Sequence, residues 1–168
     1  MLGIKESILI VDDRKDIREL IMMMFEDMEC VECFVAEDGK QALEILEQFP
    51  IHVIVTDIKM PEVSGVELCQ QARDKGFDGS IVVITGEASG SDYRRLCQLR
   101  IENVFLKPVD LYQLKIKLRD LLHNEILKFI EEEAIKFVAK NVGLEGNYDE
   151  LSITEKIKLL LPLIEDAS

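Results

Sequence analysis

The sequence predicts an α/β protein, a doubly wound five-stranded parallel sheet with a C-terminal helical extension. Three observations carry that expectation. Short apolar runs alternate with segments of helical periodicity five times within residues 5–123. The runs are apolar throughout, as strands covered by helices on both faces must be. Successive parallel strands need crossovers, and right-handed crossovers wind helices onto both faces.

The first strand is the run Ser7-Ile-Leu-Ile-Val, which ends in Asp12. Residues 14–28 follow as a helix, with Ile17, Leu20, Ile21, Met24 and Met28 as its apolar stripe. Within Met22-Met23-Met24, Met24 is expected in the core and the other two at its margin. The second strand spans 31–36, and Asp38-Gly39 is a turn signal. A second helix over 40–49 uses Ala42, Leu43, Ile45 and Leu46 and stops at Pro50. The third strand, 52–56, again ends in acid, at Asp57. A loop with Pro61 and Gly65 leads to a third helix over 66–75. Residues 80–85 form the fourth strand. Ser91 is the expected N-cap of a fourth helix reaching Leu99, with Asp92 in its first turn. The fifth strand is 103–106, and Asp110 caps a fifth helix starting at Leu111.

Composition narrows the function classes. The net charge of −13 and the absence of any Lys/Arg cluster larger than Arg94-Arg95 exclude the basic face that nucleic-acid binding requires. The same acidity disfavours anionic membranes. No apolar run approaches the roughly 18 residues of a membrane span, and no signal peptide is evident, so a cytoplasmic location is expected. Cys30 and Cys33 have redox or zinc spacing. They lack a second ligand pair, since His52 and His123 are distant in sequence, and Cys33 alternates with Val31 and Val35 as on a strand face. Small packing residues without chemistry are therefore expected at these cysteines.

In doubly wound folds ligands bind beyond the carboxyl ends of the strands. Those ends carry Asp12 and Asp13, Asp57, Thr85, and Lys107-Pro108. Carboxylates gathered there repel: at about 4 Å, two unit charges cost about 4 kcal/mol at an effective dielectric of about 20. A hard divalent cation such as Mg²⁺ relieves this, and Lys107 adds a second positive charge. A carboxylate nucleophile, a cation, a lysine and a hydroxyl together suit an aspartyl phosphate.

Four segments, in this order, make the sequence resemble the receiver domain of two-component response regulators. They are Ile-Leu-Ile-Val-Asp12-Asp13, Val-Ile-Val-Thr56-Asp57-Ile-Lys-Met-Pro61-x-x-x-Gly65, Ile-Val-Val-Ile-Thr85-Gly86 and Phe-Leu-Lys107-Pro108. The resemblance covers residues 5–123. It implies a flavodoxin-like strand order of 2-1-3-4-5, with Asp57 as phosphoacceptor. It also implies Mg²⁺ held by Asp12, Asp13, Asp57 and the Lys59 backbone carbonyl. Thr85 would couple phosphorylation to loop movement, Lys107 would contact the phosphoryl group, and the peptide before Pro108 would be cis. A sensor histidine kinase or a His-containing phosphotransfer protein would supply the phosphoryl group. One part of the pattern is missing. The position three residues before the lysine, often Tyr or Phe, is Val104, while Phe105 belongs to the opposite face of its strand. Lys59 and Glu87 are expected to flank the mouth of the site with opposite charges, either paired or independently solvated.

Residues 1–123 are thus read as a receiver and 124–168 as an extension. Ile126, Phe129, Ile130, Phe137 and Val138 continue the fifth helix to about residue 140, and Gly143 and Gly146 end it. Ser152 and Glu155 form a capping box for a second helix. With 5 Lys/Arg against 10 Asp/Glu, this segment is no DNA-gripping output. Its apolar stripes are expected to be buried on the receiver, in a dimer or on another protein, and the long continued helix favours a homodimer. Two functions of different class follow: a phosphorylation-switched module acting through protein contacts without a turnover reaction, and a non-phosphorylated pseudo-receiver acting as a structural interaction module.

Overall fold

The structure is a computed structural model that describes residues 5–142. Residues up to 125 form one compact unit. Its sheet consists of β1 (Glu6–Val11), β2 (Val31–Ala36), β3 (Val53–Thr56), β4 (Ser80–Thr85) and β5 (Asn103–Leu106). All pairs are parallel and the order is β2-β1-β3-β4-β5. The order reverses between β1 and β3, which opens a crevice at their carboxyl ends.

Strand alternation sorts the core into two layers. Leu9, Val11, Ile54, Ile81 and Val83 face one side, against Leu43 of α2 (Gly39–Gln48), Leu68 and Ala72 of α3 (Gly65–Asp74) and Leu96 of α4 (Gly90–Gln98). Ile8, Ile10, Val53, Val55, Val82 and Ile84 face the other. They meet Ile21 of α1 (Lys15–Met23) and Leu114, Leu118 and Leu122 of α5 (Leu111–Val142). Burying each such side chain contributes about 1.5–3 kcal/mol, so every central strand is held from both faces. Val104 packs in the first layer and Phe105 in the second, on opposite sides of β5.

Local chemistry sets the helix starts. Asp38 accepts from the Gln41 N–H at 2.8 Å, and Ser64 with Glu67 forms a capping box for α3. The α4 cap is Ser89, not Ser91. Ser89 pairs reciprocally with Asp92, three residues on, which is the spacing the box requires, whereas Ser91 lies inside the helix. Asp110 accepts from the N–H groups of Tyr112 and Gln113.

The first helix is shorter than expected. It ends at Met23, and Met24 and Phe25 turn into the core through short-range bonds to Ile21 and Met22. Leu20 and Met23 are exposed, so Leu20 does not join the buried stripe and Met23 does not pack at its margin. Cys33 is half-buried and packs against the second layer, but Cys30 is exposed just before β2 and is not the packing residue expected. Cys69 is buried, and desolvation pushes its thiol up to about 12. Gly143, Gly146 and the second tail helix at Ser152–Glu155 lie outside the described residues. So do the side chains of Ile126, Phe129, Ile130, Phe137 and Val138.

Candidate functional site

The strand ends bring Asp12, Asp57, Thr85 and Lys107 together. Asp57 follows β3, and its N–H donates to Val11 O at 3.1 Å, which locks it beside the end of β1. Lys107 follows β5, and its N–H donates to Thr85 O at 2.8 Å. From there its ammonium reaches across to Asp57 Oδ2 at 2.5 Å and Asp12 Oδ2 at 3.3 Å. The other oxygens of both carboxylates are held by backbone: Asp57 Oδ1 by the Lys59 N–H at 3.2 Å, and Asp12 Oδ1 by the Arg14 N–H at 3.0 Å.

Gly65 sets the floor beneath Asp57. A Cβ there would lie 1.8 Å from the Asp57 carbonyl oxygen, so no larger residue fits without moving the α3 N-terminus. The Gly65 N–H donates to Ile58 O at 2.9 Å, fastening that close approach.

Electrostatically the site is a strained pair of carboxylates around one cation. Asp12 is only 4% exposed, and desolvation raises its pKa above the ordinary value despite the Arg14 N–H and Lys107. Burial opposes the Lys107 charge, but the hydrogen bond with Asp57 and the attraction of both carboxylates outweigh it, so its pKa is raised. Lys107 thereby does the compensating that the sequence assigned first to a metal ion. Among the described residues no three Asp, Glu, His or Cys side chains form a ready metal cage, and Asp13 is exposed at the rim.

The donor set nonetheless fits a hard cation. Two carboxylates already converge on one positive atom, Lys107 Nζ, and a second cation there would offset the desolvation that raises the pKa of buried Asp12. Thr85 is fully buried, and its hydroxyl donates to Glu87 O at 2.8 Å. At the mouth, Lys59 Nζ and Glu87 Oε2 pair at 2.9 Å while both side chains stay largely in solvent. The Lys107–Pro108 peptide is cis.

One contact involves a residue outside the expected set. Arg18 Nη1 donates to the Asp12 carbonyl at 2.6 Å. Its partner is a backbone carbonyl, so no sequence pattern marks it.

The response regulator receiver domain family matches residues 8–119. "Regulator of RpoS" from Escherichia coli K12 is 33% identical over 111 residues, covering 66% of this chain and 33% of that protein. A protein from Vibrio cholerae named probable cyclic di-GMP phosphodiesterase is 35% identical over 126 residues, covering 74% of this chain and 28% of its own length. The chain thus spans about a third of the length of these relatives. Among solved structures, the N-terminal domain of an uncharacterized Wolinella succinogenes protein aligns with a TM-score of 0.68 and 26% identity, over 73% of this chain and 98% of that one. A CheY-like receiver from Methanospirillum hungatei, 24% identical, shares the fold with a TM-score of 0.68 over 74% and 98% of the two chains.

Proposed function

The chain belongs to the response regulator receiver domain family, and from that premise we propose that Asp57 accepts a phosphoryl group and that phosphorylation switches protein–protein contacts. The observation that carries this reading is the convergence of Asp12, Asp57 and Lys107 at the strand ends. The family is a signalling module rather than a turnover enzyme.

In the proposed transfer, an Asp57 oxygen forms a new bond to phosphorus as the bond from phosphorus to a donor histidine nitrogen breaks. The donor is a sensor histidine kinase or a His-containing phosphotransfer protein. Asp12, Asp13, Asp57 and the Lys59 carbonyl would hold Mg²⁺, which supplies charge neutralisation to the attacking carboxylate and the phosphoryl oxygens. The Lys107 ammonium, already on Asp57 Oδ2, follows the phosphoryl group and takes one of its oxygens. The Thr85 hydroxyl exchanges Glu87 O for another, which draws the β4–α4 loop inward. Val104 leaves the inward-moving ring of the usual switch without a counterpart, so the loop movement itself carries the signal.

Residues 1–123 would act as the receiver. Residues 124–168 would act as a contact segment that forms a homodimer through Phe129, Ile130, Phe137 and Val138. The net charge of −13 supports partners other than nucleic acid or membrane, and no helix among the described residues is long and apolar enough to cross a membrane. The test is incubation with acetyl phosphate and Mg²⁺, read as a mass increase of one phosphoryl group. An unchanged mass would favour a pseudo-receiver.

A further inference from the structure

Asp12 is held at four points. Its N–H donates to Ala36 O at 3.3 Å, its Oδ1 accepts from the Arg14 N–H, and its Oδ2 faces Lys107. These three belong to the sheet, the local turn and the site. The fourth is of a different kind. Arg18, on α1, reaches back so that Nη1 donates to the Asp12 carbonyl at 2.6 Å.

A peptide unit is rigid, so fixing the Asp12 carbonyl fixes the plane of the Asp12–Asp13 peptide and the place of the Asp13 Cα. Asp13 lies inside the turn closed by the Arg14 N–H on Asp12 Oδ1, and the Arg18 contact adds a second hold on its backbone. Among the described residues its carboxylate makes no hydrogen bond or ion pair, and it is exposed. Its aim depends on the backbone beneath it. Arg18 is half-buried, and its contact is with main chain, not with either carboxylate. A charge-assisted bond of this kind is roughly twice as strong as a neutral one.

We propose that Arg18 is a positioning residue that clamps the Asp12–Asp13 peptide and so presents both carboxylates to a divalent cation. The proposal rests on the reading of this site as a cation-dependent phosphoacceptor. Two physical effects of Arg18 oppose each other. Its positive charge repels an incoming cation, and its hydrogen bond orders the ligands that receive it. Repulsion at this range is only partly screened at physiological salt, where the Debye length is about 8 Å, and it weakens as salt rises, whereas misaimed ligands weaken binding at any salt. The proposal makes the clamp the larger effect, and the sign of the change in Mg²⁺ Kd tests it.

The test is Mg²⁺ titration of the whole chain by calorimetry without a phosphodonor, paired with acetyl phosphate labelling across a Mg²⁺ series. Arg18→Met keeps the apolar stem and removes the donors. Its Mg²⁺ Kd should rise about tenfold, the effect of losing a residue that orients a ligand, and its labelling rate should return to the wild-type level at saturating Mg²⁺. Arg18→Lys, which keeps one donor, should fall between. A Kd that is unchanged or tighter in Arg18→Met overturns the clamp. So does a loss of labelling at every Mg²⁺ level with unchanged Kd, the sign of a merely structural arginine. If Arg18→Met does not fold, the Arg18→Lys titration decides by the same criteria. Wild type that binds Mg²⁺ but never labels would remove the phosphoacceptor reading and leave the Arg18 result standing.

Discussion

Lys107 Nζ lies 2.5 Å from Asp57 Oδ2 and 3.3 Å from Asp12 Oδ2, so one ammonium neutralises two carboxylates that would otherwise repel. The lysine expected to meet an incoming phosphoryl group therefore begins on the proposed acceptor. It makes the resting site tolerable, and in the proposed transfer it would follow charge onto the new group.

Lys107→Met should consequently destabilise the protein, by about 1–3 kcal/mol for partners left unsatisfied. The Lys107 pKa is raised in the folded state. The stabilisation is thus fully present below the ordinary lysine value of 10.5 and is lost as pH rises through the raised folded value. Thermal unfolding of both proteins from neutral to alkaline pH checks this. The Tm gap should be constant near neutrality and close above that value.

Asp12→Asn should act in the opposite direction, raising stability by about 0.5–2 kcal/mol, as replacing a strained site residue commonly does. Burial raises the Asp12 pKa above 3.8. Its contribution to stability is therefore greatest while the carboxyl is protonated and is lost as pH climbs through the raised value. The gain in Asp12→Asn should appear over that window and then level off, with Mg²⁺ binding lost. A Tm that falls at neutral pH would mean the ionised carboxylate is a net support.

Lys59 and Glu87 pair at 2.9 Å across the mouth, each at an exposed position. Such pairs contribute little to stability. Their effect is expected on rate, because hydrolysis depends on where one water can stand. The phosphorylated protein should decay slowly, and Lys59→Asn or Glu87→Ala should speed phosphate release severalfold at matched Mg²⁺. Equal release rates would reduce the pair to ordinary surface charges.

The extension makes a prediction about assembly. Phe129, Ile130, Phe137 and Val138 give the tail an apolar content unsuited to a free helix face. Light scattering should give the mass of two chains, with beryllofluoride changing the dimer's stability or population. A single-chain mass under both conditions would remove the homodimer.

The sheet was legible because strands buried on both faces are apolar throughout, as Ile-Leu-Ile-Val before Asp12 and Ile-Val-Val-Ile before Thr85 are. Strand-end residues were legible for the same reason, since a sudden acid or lysine after such a run has nowhere to go but the crevice. Helix ends were less so. Ser89 and Ser91 are equally good caps in isolation, and only the reciprocal bond with Asp92 separates them. Leu20 fits the periodicity of a longer helix, but the chain turns at Met24. Arg18 was invisible because its partner is a backbone carbonyl, which no sequence pattern records. The Lys107 bridge was hidden too, because a sequence cannot say which of two available cations neutralises a carboxylate first.

The central claim concerns Asp57 alone, and the most direct measurement is the intact mass of wild type and Asp57→Asn after acetyl phosphate and Mg²⁺. Wild type should gain one phosphoryl group, should fail to gain it when Mg²⁺ is chelated before the donor is added, and should keep its fold in either case. Asp57→Asn should gain none while unfolding with the same cooperativity as wild type. Equal labelling of the two proteins would contradict the account, because the phosphoryl group would then reside on a residue other than the one Lys107 holds.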